Sequence, residues 1–331
     1  MTITSAQPHL LLAAEVRTVE RLGPSFVRIT FGGVGFDQLG PEGPTYDQRI
    51  KLVFPTTGHA LPLHRLSAES WYADWLALPD PDRGHVRTYT ARSVQGEGHH
   101  RHLVVDFVIH EPSGPAATFA ASARAGDVIG LLAPRRGLEE QFGGIEFRPG
   151  AARRLCFVAD ETAVPALASI LEALPPGTRG WAVAEVPDSG DVQQISTAAD
   201  LEVEWIVRGS RPRGTATIET VRRHWRLDAA APVEEPARSD SGDTTDSDDT
   251  DHTEVWETSL FSSSGETVAV SPAEAAASAE ADTAGPDETY AWVAGDSDTV
   301  KAIRRILVGE VGMARHHVAF MGYWKVGTAH L

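Results

Sequence analysis

The chain has 331 residues, of which 42% are hydrophobic and 23% charged, with a formal net charge of −17 and a single cysteine. That length allows one large or two ordinary domains, and the lone Cys156 rules out an internal disulfide or an iron–sulfur cluster held by several thiolates of this chain. The negative charge is local: residues 228–289 hold 17 of the 46 acidic residues and one basic residue, Arg238, leaving 29 acidic against 28 basic elsewhere and no basic footprint for nucleic acid. No run reaches about 18 apolar residues and no basic region precedes the apolar segment near Met1, so neither membrane insertion nor a secretory leader is expected and a cytoplasmic protein is.

The first 150 residues read as β-runs broken by Gly and Pro: "AAEVRTVERLG", "FVRITFGG", "RIKLVFP", "HVRTYTARS", "RHLVVDFVIH" and "GDVIGLLAP". Six such runs predict an antiparallel β-barrel over residues 8–150. Between the third and fourth lies "LHRLSAESWYADWLALPDPDRG", read as a covering loop with a helical turn or as plain surface packing. The fourth run is odd. Arg87, Tyr89 and Ala91 alternate with Thr88, Thr90 and Arg92, so neither face is purely apolar. One reading is an exposed edge strand; the other is a strand offering a ring, hydroxyls and cationic forks to a planar anionic ligand.

From residue 152 the pattern becomes strand, turn, helix, and predicts a mostly parallel α/β domain over 151–331 that binds ligands outside the carboxyl ends of its strands. "RRLCFVAD" is a buried strand carrying Cys156. "ETAVPALASILEAL" has apolar residues at Val164, Leu167, Ala168, Leu171 and Leu174, which is helical spacing, and "PPG" stops it. "GWAVAEV", "LEVEWIVRG" and "TYAWVAGD" follow as strands, then the helix "DTVKAIRRILVGEVG" and the closing "HHVAFMGYWKVG". The acidic stretch 228–289 interrupts this domain and reads as a disordered insertion, with "HTEVWETSLF" as an apolar island able to dock as strand, helix or interaction peptide.

The strand "RTYTAR" resembles the flavin-binding strand Arg-x-Tyr-Thr-x-Arg of the siderophore-interacting protein family, with Arg87, Tyr89, Thr90 and Arg92 at its named positions. A tyrosine offers a ring to stack on, a threonine a short hydroxyl, and arginine a fork for phosphate. "VDFVIHEPSGPAATFA" resembles the family's next segment at Asp106, Val108, His110, Gly114, Pro115, Ala116 and Phe119, with Glu111 where glycine is usual and Phe119 where tryptophan is. A glycine turn entering a helix turns N–H groups toward phosphate, which makes Gly114, Ala116, Ala117 and Thr118 pyrophosphate neighbours. A capped strand-end histidine and an ordinary helix start are the structural alternatives here.

In the second domain "ADETAVPALASIL" resembles the family's strand-to-helix turn for a nicotinamide nucleotide, placing Asp160, Glu161 and Thr162 there, although the two carboxylates suit a structural cap as well. "WVAGD" resembles its Ala-Gly-Glu segment through Gly295 and Asp296, and "GYWKVG" its closing segment through Tyr323 and Trp324. In "VRGSRPRG", Arg208 is the arginine placed for a 2′-phosphate, with Arg211 and Arg213 beside it.

The resemblance implies a two-domain protein of the ferredoxin-reductase type with FAD and NADPH or NADH as cofactors. It would act as a ferric-siderophore reductase in which no side chain serves as acid, base or nucleophile. It also implies basic residues that attract the anionic ferric siderophore, here Lys51, Lys301, Arg304 and Arg305. A general flavin or ferredoxin-type reductase and a non-catalytic siderophore-binding protein stand as alternatives. A monomer is expected. His99, His100 and His102 in "GHHRHL" lack a carboxylate or thiol partner in sequence, and no metal site is assigned to them.

Overall fold

The computed structural model describes residues 7–56, 59–109, 114–227, 256–257 and 288–325. His110 and the acidic stretch, apart from Trp256–Glu257 and Glu288–Thr289, lie outside the described residues.

The amino-terminal half is one curled antiparallel sheet built from β1 (His9–Arg21), β2 (Phe26–Gly32), β3 (Arg49–Phe54), β4 (His85–Thr90), β5 (Ser93–Gln95), β6 (His102–Val108) and β7 (Val128–Pro134), in the order β4-β3-β7-β1-β2-β6-β5. Its inner face alternates into a core of Ile29, Phe31, Leu52, Phe54, Phe107 and Leu131. Six strands are expected from the sequence and seven are present, because the run 85–93 changes partner. β4 pairs with β3, then the Arg92 N–H donates to Val104 O at 2.9 Å and Ser93 joins β6. The tryptophan-rich stretch forms two short helices, α1 (Trp71–Ala77) and α2 (Asp80–Arg83). Trp75 and Leu78 cover Val53 and Val86 on the outer face of β3 and β4.

The second half is a six-stranded sheet, β10-β9-β8-β12-β13-β11, formed by β8 (Arg154–Ala159), β9 (Arg179–Val186), β10 (Asp200–Val207), β11 (Trp256–Glu257), β12 (Thr289–Asp296) and β13 (Val318–Trp324). All pairs are parallel except β11 with β13. The apolar island of the acidic stretch thus supplies an edge strand at Trp256–Glu257, and that stretch ends before Thr289, where β12 begins. Strand order reverses between β8 and β12, the place where such sheets open a crevice. Helix α5 (Val164–Ala173), with Pro165 in its first turn, packs on one face; its residues Leu167, Ile170 and Leu171 share a core with Phe26 and Phe147 of the barrel half. On the opposite face, α6 (Thr215–His224) and α7 (Ser297–Arg304) cover Cys156, Val158 and Phe320. A short α4 (Glu139–Phe142) follows β7, and α3 (Pro115–Ser122) follows β6.

Polar contacts cross the seam between the halves. Ser25 N–H donates to Asp191 Oδ1 at 2.7 Å, Arg148 N–H to the Tyr290 hydroxyl at 3.1 Å, and Trp292 Nε1 to Asp47 Oδ2 at 3.0 Å. Asp47 also accepts from the backbone N–H groups of Glu146 and Phe147. Burial outweighs these donors and pushes its pKa from 3.8 up to about 6. Because the folded value is the higher one, the native state holds a proton that the unfolded chain releases, and this group's stabilisation falls as pH rises from about 4 to 6. Unfolding in urea is therefore expected to show a loss of up to about 3 kcal/mol across that window from Asp47. The Asp47→Asn variant should lose that part of the slope, and an unchanged slope would discard the assignment.

Candidate functional site

β4 carries the candidate cofactor strand. Ile50, Lys51 and Leu52 of β3 stand opposite Tyr89, Thr88 and Arg87. Tyr89 turns inward, its ring 4.6 Å from that of Phe107 and 6.3 Å from that of Phe54, and burial raises its phenol pKa. Arg87 is half-buried and donates to Val86 O at 2.7 Å. The threonines face the other way: Thr88 Oγ1 accepts from Lys51 Nζ at 2.7 Å, and Thr90 lies beside the Tyr323 hydroxyl of β13. β4 and the last parallel strand thus bring Thr90 and Tyr323 together, with Arg87 and Tyr89 on the other face of β4.

Asp106 lies on β6 with its side chain fully enclosed. It accepts both nitrogens of the Arg28 fork at 2.7 and 2.8 Å, a cross-strand pair fixed by the β2–β6 register. Arg92 Nε stands 3.8 Å from the same carboxylate, while its Nη1 and Nη2 reach Glu172 on α5 at 2.8 and 2.6 Å. Val108 packs against the core shared by the two halves.

Helix α3 starts at Gly114, and no side chain caps it. Thr118 N–H is already bonded to Gly114 O, whereas the first-turn N–H groups of Ala116 and Ala117 face outward from the helix start. Among the described residues, nothing lies within 4 Å of where a side chain on Gly114 would begin. Among the described residues, an uncapped helix start with an open cradle is a donor set that fits a pyrophosphate.

At the switch between β8 and β12 a cleft is lined by Asp160, Glu161, Glu185, Arg208, Arg213 and Asp296, among others. Asp160 Oδ1 accepts from Thr162 N and Oγ1 at 2.8 and 2.6 Å, and its Oδ2 from Asp296 N and Trp324 Nε1, both at 2.7 Å. Burial and the neighbouring Glu161 charge push its pKa up to about 7. Gly295 makes this approach feasible: its φ is +145°, and a Cβ there would sit 2.5 Å from Asp160 Cγ. Asp296 caps α7 by accepting Thr299 N–H at 3.0 Å.

Arg208 is buried and grips Glu161 with both terminal nitrogens at 2.8 and 2.9 Å, its Nη1 also reaching Glu185 at 3.2 Å. Burial alone would raise Glu161, but the Arg208 fork holds its pKa below the usual glutamate value. The more exposed Arg213 reaches Glu161 at 2.8 Å and stands 4.7 Å over the Trp324 ring. Arg208 therefore stands as the internal tie of the cleft, and Arg213 as the guanidinium at its rim.

Lys51 lies on the outer face of β3, whereas Lys301, Arg304 and Arg305 belong to the helical segment on the face of the parallel sheet away from the barrel. The structure does not gather these four cations into one cluster. Among the described residues there is no group of three or more His, Cys, Asp or Glu that would hold a metal ion, and no helix long and apolar enough to cross a membrane.

Sequence reasoning missed Arg28, Asp47, Glu146, Glu172 and Glu185. Arg28 had a signal, as the charged residue in "FVRITF", and β2 pairs it with the equally isolated Asp106 of β6. The others act across separations that no local pattern reports.

Comparison with known proteins places two family profiles on this chain. The siderophore-interacting protein profile matches residues 152–327, and that of the siderophore-interacting FAD-binding domain matches residues 15–138. An uncharacterized protein of Mycobacterium tuberculosis is 36% identical over 201 residues, spanning 61% of this chain and 66% of its own. The ferric vibriobactin reductase ViuB of Vibrio cholerae is 24% identical over 310 residues, 92% of this chain and 85% of its own. Among solved structures, a siderophore utilization protein from T. fusca superposes with a TM-score of 0.66 at 25% identity, covering 98% of this chain and 96% of that one. A ferredoxin NADP+ reductase from Neisseria gonorrhoeae shares the fold, with a TM-score of 0.52 at 11% identity over 95% of this chain and 99% of that one.

Proposed function

This chain belongs to the siderophore-interacting protein family, and from that premise we propose that it is a cytoplasmic, monomeric ferric-siderophore reductase. Residues 8–150 form its FAD-binding domain and residues 151–331 its NAD(P)H-binding domain. Bound FAD would supply the conversion between a two-electron hydride donor and a one-electron Fe(III) acceptor.

The chain's own residues bind and orient. Arg87 and the α3 amides of Ala116 and Ala117 hold the flavin phosphates, Tyr89 offers its ring, and Thr90 its hydroxyl. The turn Asp160–Thr162, with Gly295, Asp296 and Trp324, frames the nicotinamide nucleotide cleft. Arg208 stiffens its wall, and Arg213 at the rim is the fork for a 2′-phosphate. Lys51, beside Thr88 on β3, attracts the anionic siderophore, and Lys301, Arg304 and Arg305 add positive field from the far face of the sheet.

One observation carries the reading. Thr90 on the candidate flavin strand lies beside the Tyr323 hydroxyl on the last strand of the nucleotide sheet, so the two halves meet at the residues where electrons would cross. Anaerobic mixing of the FAD-loaded protein with NADPH or NADH tests it. Bleaching of the flavin, then Fe(II) trapping after addition of a ferric catecholate siderophore, is the expected result. Protein that takes up no FAD, or flavin that neither nicotinamide bleaches, would reject the reductase; in the second case a binding protein remains.

A further inference from the structure

We propose that Arg92 is not a phosphate ligand but one half of an interdomain clasp, in which Arg92 and Glu172 act as positioning residues that hold the nucleotide half at a fixed distance from the flavin strand. This inference rests on the reductase reading above.

The geometry commits nearly every polar group of Arg92. Its Nη1 and Nη2 form a two-pronged contact with Glu172 at 2.8 and 2.6 Å, and Nη1 lies 3.4 Å from Ser169 Oγ. Its carbonyl accepts from Ser169 Oγ at 2.7 Å and from Thr45 Oγ1 at 3.2 Å, and its N–H donates to Val104 O at 2.9 Å. Ser169 and Glu172 are one turn apart on α5, so this helix of the nucleotide half grips one residue at its backbone and its side chain together.

Charge decides against a phosphate at this fork. A pyrophosphate approaching Arg92 would meet the Glu172 carboxylate already in place, and Asp106 lies 3.8 Å from Nε. Both terminal nitrogens of Arg92 are taken by Glu172, whereas Arg213 gives Glu161 only its Nη1, so at Arg92 displacing one anion by another gains nothing, and two nearby carboxylates repel the newcomer. Asp106 cannot turn away, because the Arg28 fork holds both its oxygens. Arg87, five residues earlier on the strand, faces a carbonyl rather than a carboxylate, and keeps the phosphate role.

A bidentate Arg–carboxylate contact fixes orientation as well as distance, with the Arg92 side chain 12% exposed and water reaching the pair from the side of Glu172, which is 37% exposed. Reaction across two docked halves depends steeply on that spacing: a displacement of about 1 Å can cost roughly 100-fold in rate.

The experiment compares Glu172→Ala, Glu172→Gln and Arg92→Ala with the unaltered protein by three measurements. These are FAD affinity of the apoprotein by flavin fluorescence, the limiting rate of anaerobic flavin bleaching at saturating NADPH or NADH, and hydrogen exchange of the Ser25 amide, which bonds Asp191 across the seam without involving the cofactor. The clasp predicts FAD affinity within about threefold for all variants, a limiting bleaching rate lower by about tenfold in Glu172→Ala and less in Glu172→Gln, and Ser25 exchange about tenfold faster in both alanine variants. A tenfold or greater loss of FAD affinity in Arg92→Ala returns Arg92 to the cofactor site and overturns the proposal. Unchanged bleaching together with unchanged exchange also overturns it. Should the unaltered protein bind no FAD, the reductase reading falls, and the Ser25 exchange alone upholds or rejects the clasp.

Discussion

Replacing Arg87 by alanine is expected to weaken FAD binding by roughly 10- to 150-fold, the effect of about 1.5–3 kcal/mol that a hydrogen bond to a charged group carries. Arg87 is half-buried on β4 opposite Leu52, and its guanidinium is tied to a neighbouring carbonyl rather than to a carboxylate, so it meets an anion without first breaking an ion pair. Arg87→Lys should fall between, since it keeps the charge but loses the planar fork. Titration of the apoprotein with FAD, followed by quenching of flavin fluorescence, reads the change. An Arg87→Ala protein that binds FAD as tightly as the parent would remove the strand from the cofactor site.

The second large effect is expected at Arg208, and it concerns stability. The side chains of Glu161 and Glu185 are 1% and 4% exposed, and Arg208 is the cation between them. Arg208→Ala leaves two carboxylates enclosed with one remaining ion pair, Arg213 to Glu161 at 2.8 Å. Breaking a buried pair from one side costs about 3–5 kcal/mol, because the abandoned charge has lost its water and gained no partner. Arg213 sets the outcome at the lower end of that range. Urea unfolding measures it, and combining Arg208→Met with Glu161→Gln should recover part of the loss, since the charge and its partner leave together. A loss below about 1 kcal/mol for Arg208→Ala would mean that water reaches Glu161 freely.

Both expectations depend on distinguishing the arginines that touch ligand from those that tie the protein together, and the sequence does this unevenly. Alternation along β1, β2, β3, β6 and β7 and the helical spacing of α5 were legible because each element buries one face, and burial writes itself into residue type at a fixed period. The switch of partner at Arg92, from β3 to β6, was not, because a single backbone hydrogen bond to Val104 produces it and changes no side chain. The edge strand β11 was one of three forms open to its apolar island, since two residues carry no period. Within the site, Arg87, Tyr89, Thr90, Gly114 and Tyr323 were visible through their resemblance to a family pattern. The partners of Arg92 and Arg208 were hidden, because Glu172 and Glu161 lie 80 and 47 positions distant.

The seam has a consequence for the order in which the chain is made. Asp47 is synthesised 245 residues before Trp292, the indole that closes over it, and Ser25 comes 166 residues before Asp191. At about 5–20 residues per second, Asp47 waits roughly 12–50 s on the ribosome before its partner exists. For that interval the core that Phe26 and Phe147 share with α5 lacks Tyr290 and Trp292 of β12 and Ala319 and Met321 of β13. The shared core is therefore completed late, when β12 and β13 reach back to residues translated long before them.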